Sequence, residues 1–187
     1  MPPATLRMYL VLMEPKEVTV KWTEFFAAQL EREAPLSRKA LERVPENKPD
    51  WKPHEKSMPL GYLSQLVACM PDWIAMAIVR DELDLRPPAG QGYKPPPTDT
   101  NAKLLAAHDE CVKKGLDALH KTTDEFLATK WKLLVGGQVV MEDPRYKVVA
   151  ETFTHLAHHR GQLTVYLRLN DIPVPSIYGP TADEKTF

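Results

Sequence analysis

Three histidines fall within five residues in His155-Leu-Ala-His158-His159, inside a long proline-free run. If that run is helical, at about 100° per residue His155 and His159 leave one face about 40° apart and one turn from each other. Two imidazoles in that relation can chelate a transition metal such as zinc. The same pattern also suits histidines at the edge of a core, each held by hydrogen bonds. Leu156, Leu163 and Leu167 form an apolar stripe beside the pair, so the pair borders a buried face. Gln162 and Tyr166 continue the histidine face, whereas His158 points away. Spacing leaves both readings open.

The chain that must position this pair has 187 residues, enough for a single domain with a substantial core, since 43% of it is hydrophobic. Lys and Arg number 24 against 25 Asp and Glu, which argues against a nucleic-acid binder working through a basic surface. Cys69 and Cys111 lie in helical-looking segments rather than a spaced framework and read as reduced thiols of a cytoplasmic protein. The run Met8-Tyr-Leu-Val-Leu-Met13 is too short to span a bilayer, and Glu14-Pro15-Lys16-Glu17 comes after it where a signal peptide would need small residues. No membrane partner is expected.

The periodicity predicts four long helices, an all-α chain. The first begins at Lys21 and carries Trp22, Phe25, Phe26, Leu30, Leu36, Leu41 and Val44; Pro35 should kink or split it, and it stops near Pro45. Val18-Thr-Val20 ahead of it is too short to assign. A polar loop carries Trp51, expected to pack onto the body. Ser57 is a candidate N-cap for the second helix, with Pro59 in its first turn. That helix, from Leu60 to about Glu82, is unusually apolar and should kink at Pro71. Residues 86–99 hold Pro87-Pro88, Gly90, Gly92 and Pro95-Pro96-Pro97, a long connection of polyproline character. Asp99 or Thr100 caps the third helix, with Leu104, Leu105, Cys111, Leu116, Leu119 and Phe126 on its apolar row. His108 and His120 also lie on that row and read as surface or boundary residues. Trp131–Val135, Gly136-Gly137 and Gln138–Met141 predict a small β-hairpin. Asp143-Pro144 opens the fourth helix, which runs to about Asn170 with the histidines. Residues 172–180 should be extended, with nothing structured after them. The expected core includes Leu63, Leu66, Val67, Trp73, Leu105, Leu156 and Leu163.

Several segments resemble, in order and spacing, the DinB/YfiT-like family: Arg43-Val-Pro45, Asp50-Trp-Lys-Pro-His54, Lys56-Ser-Met-Pro-Leu-Gly61, Pro71-Asp-Trp73, His155 through Arg168, and Pro175-Ser-Ile-Tyr-Gly-Pro180. The likeness covers roughly residues 22–181. It implies one DinB-like domain over 1–187, with 1–20 and 182–187 peripheral, and a four-helix bundle, up-down-down-up, whose long Pro-rich connection joins helices 2 and 3 and whose hairpin precedes helix 4. Members of that family typically bind Zn or Ni through three histidines, one from the second helix and two from the fourth. Characterised members include S-transferases and isomerases that use low-molecular-weight thiols, and hydrolase-like members.

The resemblance carries the fourth-helix ligands onto His155 and His159. The second-helix ligand is missing: in the pattern Leu-Gly-x-Leu-x-x-His this chain reads Leu60-Gly-Tyr-Leu-Ser-Gln-Leu66, so Leu66 replaces it. Cys69, one turn on, is a possible substitute thiolate or a small buried apolar residue; Gln65 is rotated away and is a poor ligand. Divalent metal is therefore expected to bind weakly or not at all. Glu151, one turn before His155, is either an orienting partner for its imidazole or a solvated carboxylate. Arg160 could meet an anionic substrate group or form a surface ion pair. The resemblance thus implies a metal-dependent S-transferase or hydrolase type with a degenerate triad, or a non-catalytic protein that binds a small molecule or a partner. It also implies a homodimer. A DNA-acting role, suggested by the family's damage-inducible name, is disfavoured by the charge balance.

Overall fold

The computed structural model describes residues 20–89 and 92–185. In chain order it forms helix α1 (Trp22–Leu41), helix α2 (Leu60–Cys69), helix α3 (Pro71–Val79), strand β1 (Glu82–Asp84), helix α4 (Asn101–Lys121), the short helix α5 (Asp124–Leu127), strands β2 (Lys130–Val135) and β3 (Gln138–Pro144), and helix α6 (Arg145–Leu169). The protein is mostly helical with a small three-stranded sheet. The readings placed on residues 1–19, Val18-Thr19 and the Met8–Met13 run among them, lie outside the described residues.

Helix α1 runs through Pro35 as one helix rather than splitting there. Pro35 and Glu31, whose carbonyl loses its donor, are both exposed, so water replaces the missing bond at modest cost. Distant residues close both ends of α1. The Asp124 carboxylate accepts the backbone N–H groups of Trp22 and Thr23 at 2.9 and 3.0 Å, and Asn101 Nδ2 donates to the carbonyls of Leu41 and Val44 at 2.9 and 3.3 Å. The expected second helix is two helices, α2 and α3, bent by 50°. Pro71, lacking an N–H, ends α2 and serves as the first residue of α3. Pro59, not Ser57, caps α2.

Contacts along the helices set their directions. Ala68 O faces His108 at 3.3 Å and Pro71 O approaches Gly115, so α2 and α3 run alongside α4 in the same sense. A Cβ at Gly115 would lie 2.9 Å from Pro71 O and Leu30 Cδ2, so only glycine admits this approach. The Arg38–Asp109 pair at 2.9 Å and the Asn101 bonds to Leu41 and Val44 make α1 antiparallel to α4. Trp22 lies 4.3 Å from Tyr146, Phe26 6.0 Å from Phe153, and Glu33 pairs with Arg160, so α1 and α6 run together. Among the described residues no single helix is long and apolar enough to cross a membrane.

The core tracks the bend. One cluster surrounds α2 with Leu41, Leu63, Val67, Met70, Leu104, Cys111, Leu156 and Leu163; a second surrounds α3 with Phe26, Leu30, Ile74, Ile78, Leu119, Leu127 and Val149. Each fully buried Leu or Ile contributes about 1.5–3 kcal/mol of transfer free energy. Leu66, Trp73 and Leu105, expected inside, are only partly buried and pack on the flank of the first cluster. Phe126 leaves the α4 row: α4 stops at Lys121, and Phe126 lies in α5, 40% exposed.

The chain is mostly helical, as expected, but its strands form more than the expected hairpin. The hairpin forms, with Gly136 and Gly137 at φ 61° and 81° as a two-residue primed turn demands. A third strand, β1, joins it in parallel, Glu82 opposite Lys132. The sequence pattern ends a helix near Glu82; three residues carry no strand period, and the partner of Glu82–Asp84 lies in a distant part of the chain. Asp84 accepts the N–H groups of Gly136 and Gly137 at 2.9 and 2.7 Å, tying strand to turn. The C-terminal segment is also more ordered than its composition implies. Asp183 pairs with Arg168 and accepts from Val174 N, and Glu184 pairs with Arg43 and accepts from Ser176 N.

Candidate functional site

Helix α6 inherits its two faces from the sequence. Val149, Leu156, Leu163 and Leu167 are buried, and the histidine row runs along the edge of that stripe. His159 is 7% exposed, whereas His155, expected to face inward, is exposed at the rim with Trp73 of α3 set edge-on against it, ring centroids 5.3 Å apart. The two Nε2 atoms lie 2.8 Å apart. His159 Nδ1 lies 2.8 Å from Gln162 Oε1. An amide oxygen only accepts, so Nδ1 of His159 carries the proton and its Nε2 presents a lone pair. His155 Nε2–H donates to that lone pair. His158 packs edge-on against His159 at 5.0 Å but points its own ring to solvent. Burial, then the neighbouring His159 and His158, hold His155 below the usual imidazole pKa.

Two nitrogens each about 2.0–2.1 Å from a tetrahedral zinc sit roughly 3.3 Å from one another. The pair would need to open by about half an ångström, within the reach of small χ changes, and His159 already has the tautomer a metal ligand needs. The donor set is half a centre. Among the described residues no group of three His, Cys, Asp or Glu side chains converges. Cys69 does not join the pair: it is buried beside Cys111, and their mutual hydrogen bond, with burial, pushes the Cys111 thiol up. Leu66 is half-buried against the core.

Glu151 is exposed and lies 3.8 Å from Lys147, with no bond to His155 among the described residues. Arg160 is neither a substrate contact nor a surface ion pair. It is 1% exposed, donates to Glu33 Oε2 at 2.5 Å, to Ser37 Oγ at 3.0 Å and to the Glu33 carbonyl at 3.2 Å, and lies over the Tyr178 ring. His108, whose spacing suggests a surface or boundary residue, is 1% exposed between the carbonyls of Ala34 and Ala68, at 3.0 and 3.3 Å. Burial holds its pKa down. Its surroundings come from three helices, which a one-helix pattern cannot show. The pattern places Trp73 in the core; its edge contact with His155 has no sequence signal.

The sequence signature of the DinB superfamily matches residues 29–163. An uncharacterised protein, YrdA, of Bacillus subtilis (strain 168) is 29% identical over 99 residues, 47% of this chain and 51% of that protein, so the chain spans about half the length of the curated relative it matches. Among solved structures, a DinB-like protein of Bacillus subtilis superposes with a TM-score of 0.62 at 16% identity, covering 87% of this chain and 99% of that one. A DinB-like protein of Bacillus cereus ATCC 10987 does so with a TM-score of 0.63 at 18% identity, over 83% and 97%. At these identities the likeness is one of fold.

Proposed function

The chain belongs to the DinB superfamily, and on that premise we propose that it is a relative of the metal-dependent thiol S-transferases and hydrolases with a degenerate centre made of His155 and His159. The observation that carries the reading is the 2.8 Å approach of the two Nε2 atoms, with Gln162 holding His159 in the ligating tautomer. We read α1, the bent α2–α3 pair, α4 and α6 as the four rods of an up-down-down-up bundle, with residues 86–99 as its long connection. A Zn or Ni ion, when bound, would lower the pKa of a coordinated thiol or water.

The chain's own residues set the rest of the chemistry. Gln162 fixes the His159 ring. Trp73 packs against His155, shielding one edge of its ring from water and leaving the other open to a small molecule. The proton between the two Nε2 atoms must move to His155 Nδ1 before both lone pairs are free, so metal binding competes with a hydrogen bond. With Leu66 in place of the third donor, we expect weak affinity. A low-molecular-weight thiol as co-substrate, a homodimer and a cytoplasmic setting belong to this reading. The second reading, a non-catalytic binder of a small molecule that has lost the metal, is favoured by the commitment of Cys69 to Cys111.

Calorimetric titration with Zn²⁺ and Ni²⁺ tests the proposal. The wild type should bind at micromolar affinity or weaker, His159→Ala not at all, and Leu66→His on the order of a hundredfold tighter, since a third imidazole adds several kcal/mol. No gain in Leu66→His would remove Leu66 from the ligand position. Tight wild-type binding lost in Cys69→Ser would show that the thiol ligates. No wild-type binding together with tight Leu66→His binding would favour the second reading.

A further inference from the structure

A cavity of about 730 Å³ lies on another part of the molecule, between the length of α3 and the C-terminal half of α4. Asp72, Met76 and Arg80 line it from α3, and Lys114, Ala118 and Lys121 from α4; neither His155 nor His159 contributes. Both sets have a spacing of three or four residues, so each is one helix face. The eight residue steps from Asp72 to the C-cap Arg80 span about 12 Å along the α3 axis. The volume lies within the range of pockets that take small molecules, roughly 300–1,000 Å³.

The two ends of the cavity differ in charge. At the inner end the Asp72 carboxylate is 9% exposed, and its Oδ2 accepts the Tyr93 hydroxyl at 3.1 Å. Burial, with the charge of Asp72 next, pushes the Tyr93 phenol up, so it stays a donor. Asp72 Oδ1 receives no hydrogen bond among the described residues, although an ionised carboxylate has about four acceptor sites. That oxygen is not sealed from solvent, and in the cavity wall it can accept a further donor, above all a cation. Lys114 feels the charge of Asp72 across the cavity but is bonded to Glu110 at 2.7 Å and makes no ion pair with Asp72. At the open end Arg80 and Lys121 are exposed and enter no ion pair among the described residues, while nearby Asp117 is bonded to Lys113 at 2.6 Å. Met76 and Ala118 give the middle an apolar wall.

We propose that this cavity binds a two-ended small molecule of the ω-amino acid type, with its ammonium on Asp72, its apolar chain along Met76 and Ala118, and its carboxylate at Arg80 and Lys121. The site is independent of the His155/His159 chemistry, and each can fail without the other. Calorimetric titration with 8-aminooctanoate, octylamine and octanoate tests it. 8-Aminooctanoate should bind tightest, at one per chain. Asp72→Asn should weaken 8-aminooctanoate and octylamine by about tenfold or more and leave octanoate unchanged, and Arg80→Glu should weaken 8-aminooctanoate and octanoate but not octylamine. Ala118→Phe, which fills the middle, should abolish all three. Equal affinity for the three probes, one variant weakening all alike, or no saturable binding to the wild type would overturn the proposal. Arg80 is a surface side chain whose replacement leaves the core intact, so that arm decides even if Asp72→Asn or Ala118→Phe fails to fold.

Discussion

Replacing Glu33 with glutamine should destabilise the protein by about 3–5 kcal/mol, the range for removing one partner of a buried ion pair. Glu33 and Arg160 are 4% and 1% exposed. The guanidinium is bonded to Glu33 Oε2 at 2.5 Å, with Ser37 Oγ, the Glu33 carbonyl and the Tyr178 hydroxyl as its neutral acceptors, and Glu33 Oε2 also accepts Tyr178 OH at 2.7 Å. Glutamine keeps the volume and one acceptor but removes the only negative charge in direct contact among the described residues. Arginine cannot shed its proton in response, so the cation stays buried without compensation. For a chain of this length each kcal/mol lowers Tm by about 2–4 °C, so the expected loss is about 6–20 °C. Urea unfolding monitored by circular dichroism should show a lower midpoint at unchanged slope. Arg160→Met alone should cost a similar amount, and Glu33→Leu with Arg160→Met should recover most of it, because a well-packed apolar pair needs no desolvation of charge. A loss below about 1 kcal/mol in Glu33→Gln would refute the reasoning, since it would mean that water screens the pair.

Leu66→Ala should cost roughly 1–2 kcal/mol, less than the 2–5 of a fully buried leucine, because Leu66 is only partly covered; a loss near 4 kcal/mol would show that it is core. Gly115→Ala should destabilise by about 1–3 kcal/mol through the clash with the Pro71 carbonyl, outweighing a gain of about 1 kcal/mol in helix propensity. Equal or higher Tm would mean that α3 and α4 separate freely. His108 and His155 both have native pKa values below the ordinary one. The unfolded chain therefore takes up these protons first, so stability is full above about pH 7 and falls as pH drops through about 6.5 toward the native values. Tm should be lower at pH 5.5 than at pH 7.5, and the difference should shrink in His108→Gln; an unchanged difference would remove His108 from the effect.

What the sequence determined by itself was local. The His155/His159 spacing, the apolar stripe of α6, the break at Pro71, the Thr100 cap and the glycine turn each depend on residues within a turn or two of one another, and each stands in the structure. The tertiary structure alone decided whatever depends on residues far apart in the chain. Nothing near Trp22 announces that Asp124 will cap it, nor near Leu41 that Asn101 will. Strand β1 is too short to carry a period and exists because β2 pairs with it. Arg160 and His108 resemble surface groups in the sequence because polar residues usually are; their acceptors, Glu33, Ala34 and Ala68, come from α1 and α2. Leu66 resembles core because its helix is unusually apolar, and periodicity cannot tell which flank of such a helix its neighbours cover. The same holds for the histidines: spacing put them side by side, but only the packing of Trp73 and the reach of Gln162 decided which ring is buried and which nitrogen is free.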